Sequence, residues 1–138
     1  MMTAPTATAR YEGQLRTEAT HVASGTIIQT DAPVDNHGRG EAFSPTDLVG
    51  TALGTCILTT MAIVAERHDI ELKGSTVQVK KTMSQDAPRR IAQLNVDLQL
   101  PASLSESDRT LLERVAHTCP VALSLHPEIR QEIRFVYE

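Results

Sequence analysis

The stretch "SPTDLVGTALGTCILTTMAIV", Ser44–Val64, decides how this chain is read. Ser44 is a strong N-cap residue. Pro45 suits the first helical position, and Asp47, three residues after the serine, completes a capping-box pattern. A helix is therefore predicted to begin at Ser44. From Leu48 to Val64 no residue is charged, a run of 17. That length is near the lower limit for crossing a bilayer. Two glycines and four threonines in the run weaken the membrane reading. A helix that is apolar on all sides is instead expected to be buried on all sides. One small domain struggles to surround such a helix, so a second subunit is expected to supply part of its cover, in a homodimer. "AERHDIEL" then carries the helix out to water.

Working outward, "RYEGQLRTEATH" and "GTIIQTDAP" read as an N-terminal strand hairpin, preceded by a flexible tail over residues 1–9. "DNHGRGEAF", with two glycines and mixed charges, reads as an exposed loop. Beyond the long helix, "STVQVKKTMS" and "RRIAQLNVDLQL" read as two strands joined by a turn at Pro88. In the second, Ile91, Leu94, Val96, Leu98 and Leu100 are apolar, and from Leu94 on they share one face. "SESDRTLLERVAHT" reads as a helix, "CPVALSL" as a short helix with Pro120 at its first position, and "EIRQEIRFVYE" as an edge strand. Strands broken by helices in this order predict one α+β domain over residues 1–138, with antiparallel sheets.

The bulk properties narrow the function. The net charge of −4 argues against a general nucleic-acid binder. Aromatic residues make up 3% and Trp is absent, which leaves no base-stacking surface. The beginning "MMTAPTATARYEG" has no apolar h-region of a secretory signal, so the expectation is a cytoplasmic protein with no membrane partner. Two cysteines in a reducing compartment are no structural disulfide framework; if they pair, the pairing is catalytic or redox-sensing. Neither CxxC nor HExxH occurs, and no cofactor or metal is expected.

Cys119 stands directly before Pro120, where backbone N–H groups and the helix dipole favour a thiolate. Cys56 lies about three turns inside its own helix, where the dipole helps little. Its small neighbours Ala52, Gly54 and Thr55 leave room for a partner backbone or a substrate. The plain reading of both cysteines is as small buried hydrophobes. A Cys–His hydrolase using His117 is a further reading. Arg39, in "NHGRGE", is the candidate cation for a thiolate or an oxygen-rich substrate, and Arg16 on the first strand competes for that role. Asp47 is the candidate acid to orient the arginine. At about 100° per residue, however, an ideal helix sets Asp47 and Cys56 on opposite faces.

"FSPTDLVGTALGTC", "PRRIAQLNVDLQLP" and "HTCPVALSL", in this order, resemble the OsmC/Ohr family of osmotically induced and organic hydroperoxide resistance proteins. The resemblance runs from about Tyr11 to Tyr137 and is closer to the general OsmC-like branch. It implies an intertwined homodimer with sheets wrapped around long central helices. It implies a thiol peroxidase for organic hydroperoxides, and more weakly for hydrogen peroxide. Cys56 would be the peroxidatic residue and Cys119 the resolving one, with an external thiol as reductant. The family's arginine is held by a glutamate; here that glutamate's place falls on Thr46, and the acid comes one residue later as Asp47. A non-catalytic small-molecule-binding or redox-sensing module of the same fold is the alternative.

Overall fold

The structure, a computed structural model, describes residues 4–138. The chain divides into two compact units, Met1–Leu48 and Val49–Glu138.

The first unit is a three-stranded antiparallel sheet: β1 (Ala7–Gly13), β2 (Arg16–His21) and β3 (Ile27–Asp31), in that order. The expected first strand is thus two strands. Gly13, Gln14 and Leu15 all take positive φ (87°, 54° and 63°) and reverse the chain between them. The expected flexible tail gives way at Ala7, because Ala7–Ala9 already pair with β2; residues 1–3 lie outside the described residues. After β3 the chain makes a 3-10 turn at Val34–Asn36 and folds back on the end of that strand. Gly38 N–H donates to Pro33 O at 2.9 Å and Gly40 N–H to Ala32 O at 3.2 Å. A Cβ on Gly38 would lie 1.7 Å from Ala32 O, so this close return of backbone on backbone requires glycine.

Among its described residues the first unit has no apolar core of its own. Its buried side chains are Thr30, Asp31 and Ser44, all polar. Tyr11, Ile27, Ile28, Val34 and Phe43 stand exposed. The strand register sets Ala9, Ala19 and Ile28 side by side on one face.

The long helix α1 (Pro45–Arg67) opens with the capping box read from the sequence. Ser44 N–H donates to Asp47 Oδ2 at 2.9 Å, and Asp47 N–H donates to Ser44 Oγ at 3.0 Å. The helix stops where Asp69 takes a left-handed conformation (φ 55°) and Ile70 N–H returns to Ala65 O at 2.8 Å.

In the second unit α1 lies on a sheet of order β4 (Thr76–Met83), β5 (Ile91–Leu100) and β6 (Arg130–Tyr137). Gly50, Leu53, Gly54, Ile57, Met61 and Ala65 form its buried stripe, at the three- and four-residue spacing of one helical face. They meet Leu94, Val96, Leu98 and Leu100, the alternating residues of β5, in one core cluster. Ile91 is out of phase with them because the β4–β5 register shifts between Thr82 and Met83. A bulge there inserts one residue and flips the alternation. The glycines bring helix and sheet together: a Cβ on Gly54 would come 2.6 Å from Val79 Cγ2, and one on Gly50 3.1 Å from both Val79 and Leu94. Gly54 is therefore spent on packing against β4, not on admitting a substrate beside Cys56. In length and composition α1 is apolar enough to cross a membrane. Its stripe against β5 makes it the core helix of this unit.

Helix α2 (Glu106–Ala116) starts from Ser105, whose side chain accepts from Asp108 N–H at 3.1 Å, and buries Leu112 and Ala116. The short helix α3 (Pro120–Ser124) follows at once. These helices carry the chain across, so β6 arrives parallel to β5 while β4 and β5 are antiparallel. The α+β class stands. The expectation of purely antiparallel sheets fails at this one pairing, because a crossover containing helices returns a strand in the same direction.

Candidate active site

The second unit brings the chain's two cysteines together. Cys56 sits on α1, three residues after the buried Leu53 and one before the buried Ile57, and is half-buried at the margin of the core. Cys119 is fully buried in that core. It is the N-cap of α3, and its Sγ accepts a hydrogen bond from Ala122 N–H at 3.2 Å. Pro120, which has no N–H to satisfy, fits the position after it. Burial pushes the Cys119 thiol up, the Ala122 N–H pulls it back, and the neighbouring Cys56 thiol pushes it up again. Cys119 is therefore held as a protonated thiol beside Cys56. Both cysteines are free. Cys56 Sγ also lies 4.0 Å from Thr60 Oγ1, one turn along its own helix.

His117 caps the end of α2 and sets its ring edge-on to Phe135, at 6.4 Å between centroids and 72° between planes. It is exposed. His126 Nδ1 accepts from Glu128 N–H at 3.0 Å. Among the described residues neither histidine hydrogen-bonds a cysteine, and the hydrolase reading finds no Cys–His pair.

The remaining candidates lie in the first unit. Arg16 forms a two-pronged ion pair with Asp31 directly across β2 and β3, with Nε–Oδ1 at 2.7 Å and the second guanidinium nitrogen to Oδ2 at 2.8 Å. Asp31 is fully buried and also accepts from Glu41 N–H at 3.1 Å. The Arg16 guanidinium holds the Asp31 carboxyl below the usual carboxylate range against the opposing effect of burial, and the Glu41 N–H adds to the lowering. Asp31 in turn raises the Arg16 guanidinium. Arg39 is exposed and donates to Gln14 Oε1. Asp47 serves the capping box. Of the two candidate arginines, Arg16, the competing one, is the one in an ion pair with an acid, and that acid is Asp31. Asp31 escaped the sequence reading because only the strand register sets it opposite Arg16.

A half-buried cysteine on the core helix, a buried thiol beside it and a mixed α+β frame define a cysteine-centred α+β protein. The OsmC-like protein family model matches residues 38–134, and the chain belongs to that family. It is similar to the crystal structure of a candidate osmotic stress induced and detoxification response protein from Psychrobacter arcticus, with 41% identity, 98% of each chain covered and a TM-score of 0.93. Its fold is that of the organic hydroperoxide resistance protein OsmC from Legionella pneumophila, at 14% identity, a TM-score of 0.76 and coverage of 98% of this chain and 99% of that one. It is equally that of an organic hydroperoxide resistance protein from Elizabethkingia anophelis, at 16% identity, a TM-score of 0.77 and full coverage of both chains. No curated protein matches the chain in sequence.

Proposed function

We propose that the protein is a thiol-dependent peroxidase that reduces organic hydroperoxides, and hydrogen peroxide more weakly. The observation that carries the reading is the meeting of Cys56 and Cys119, the chain's only cysteines. The Cys56 thiolate attacks the outer oxygen of the hydroperoxide. The O–O bond breaks, the alcohol leaves with a proton, and Cys56 becomes a sulfenic acid. The Cys119 thiol then condenses with it, releasing water and leaving a Cys56–Cys119 disulfide. An external dithiol returns both to thiols, becoming oxidised itself. The half-buried setting of Cys56 suits an apolar hydroperoxide and shelters the sulfenic acid from a second oxidant.

A cation favours a thiolate over a thiol. The sequence names Arg39 with Asp47 for this role, and the fork-shaped pairing of Arg16 with Asp31 supports Arg16. We also propose a homodimer. Two observations support it. The first unit has a sheet without a buried apolar side chain, and α1 leaves Ala52, Thr55, Thr59 and Ile63 exposed opposite its buried stripe. A cytoplasmic location, without nucleic-acid or membrane partners, completes the reading.

Turnover of cumene hydroperoxide with a dithiol reductant tests the function. Cys56→Ser is expected to lose it entirely. Turnover that survives in Cys56→Ser would refute the mechanism. An apolar ligand retained on purification, with turnover no faster than that of free thiol, would favour the binding-module alternative.

A further inference from the structure

Cys56 lies too far inside α1 for the helix N-terminus to stabilise its anion, so a local donor is needed. The helix offers one. A threonine hydroxyl inside a helix ordinarily donates to a backbone carbonyl of the preceding turn. Thr55 does so, with Thr51 O at 2.9 Å, and Thr110 does so with Glu106 O at 3.1 Å. Thr60 does not follow them. Among the described residues its hydroxyl has one hydrogen-bond partner, the Cys56 sulfur at 4.0 Å. Residues four apart share a helical face, so the hydroxyl and the thiol are set together by the helix itself.

We propose that Thr60 is a positioning residue that stabilises the Cys56 thiolate by donating its hydroxyl hydrogen to the sulfur. The inference rests on the reading of Cys56 as the reacting thiol. When Cys56 loses its proton to water, the sulfur becomes a stronger acceptor, and the long thiol contact shortens into a charge-assisted hydrogen bond. The titratable group packed against Cys56 is Cys119 on α3, itself a protonated thiol. Thr60 and Cys119 thus offer the anion one donor from its own helix and one from the neighbouring helix.

The test uses the full chain, fully reduced, as wild type, Thr60→Val and Thr60→Ser. The rate of Cys56 alkylation by iodoacetamide is followed by peptide mass across the pH range over which thiols titrate. Thr60→Val keeps the shape and removes the donor. It is expected to move the midpoint up by about one unit and slow alkylation at neutral pH about tenfold. Thr60→Ser is expected to restore both. Thr60→Ala, which introduces no bulk, repeats the prediction should the valine disturb folding, with circular dichroism as the check. Identical titration of wild type and the valine variant, or a serine variant no better than valine, would overturn the proposal. Alkylation needs no peroxide, so the two readings fail separately. A chain that titrates as expected yet leaves hydroperoxides untouched would sink the peroxidase reading and keep the Thr60 contact.

Discussion

The sulfur of Cys119 accepts the Ala122 N–H at 3.2 Å, so one buried atom both caps α3 and faces Cys56. The thiol we propose as the resolving one is placed by the same bond that starts a helix. Cys119→Ser keeps a capping oxygen, and serine is a strong N-cap. We expect it to fold with little loss of stability while stopping the cycle at the sulfenic acid or a mixed disulfide. Cys119→Ala removes the cap as well and is expected to cost about 1 kcal/mol or more. Intact mass after one equivalent of hydroperoxide, with thermal denaturation of both variants, checks this. Full disulfide turnover in the serine variant would contradict it.

Gly54 sets the distance between α1 and β4. A Cβ there meets Val79 Cγ2 at 2.6 Å, a group fixed on a strand. Gly54→Ala is therefore expected to destabilise the fold by about 1–3 kcal/mol despite alanine's better helix propensity. Val79→Ala in the same chain is expected to recover part of the loss. Gly50→Ala, with its nearest atoms at 3.1 Å, is expected to cost less. Urea denaturation of the four proteins measures the coupling.

The Arg16–Asp31 pair gives the fold a pH dependence with a definite sign. The folded-state carboxyl of Asp31 lies below its unfolded value. Its contribution is therefore fully present above the unfolded carboxylate pKa, about 3.9, and is lost as pH falls through the lower folded value. Asp31→Asn removes this contribution. We expect it to lower stability at neutral pH and to flatten the acid limb of the stability curve relative to wild type. Denaturation midpoints between neutral and strongly acid pH test the sign; parallel curves for the two proteins would contradict it.

The two arginines are separable by kinetics. Lysine keeps the charge but loses the planar fork that grips Asp31 through two bonds. We expect Arg16→Lys to slow reduction of cumene hydroperoxide by about tenfold or more and Arg39→Lys to change it by less than about twofold. The reverse ranking would return the role to Arg39.

Much of this was legible in the sequence. The capping box at Ser44 and Asp47, the uncharged helix, the phase of β5 from Leu94 on and the cap at Cys119 are all local patterns, and local patterns survive folding. What was not legible depends on register or on direction. Asp31 meets Arg16 only because two strands pair with one particular alignment. The turn at Gln14 and Leu15 puts two ordinary side chains at positive φ, where glycine or asparagine would have announced it. The parallel course of β6 is set by how α2 and α3 carry the chain across, which strand alternation does not encode. Thr60 was in plain view, one turn after Cys56, but five threonines on one helix look alike until their hydrogen bonds are known.

The most direct test of the central claim is stopped-flow oxidation of the fully reduced protein by one equivalent of cumene hydroperoxide, followed by thiol counting and intact mass. Rapid loss of both thiols with the mass of two hydrogens, and peptide mapping to Cys56 joined to Cys119, is the predicted result. Two thiols still titratable after prolonged exposure, or oxidation of Cys56 that proceeds no faster than that of a free thiol, would contradict it.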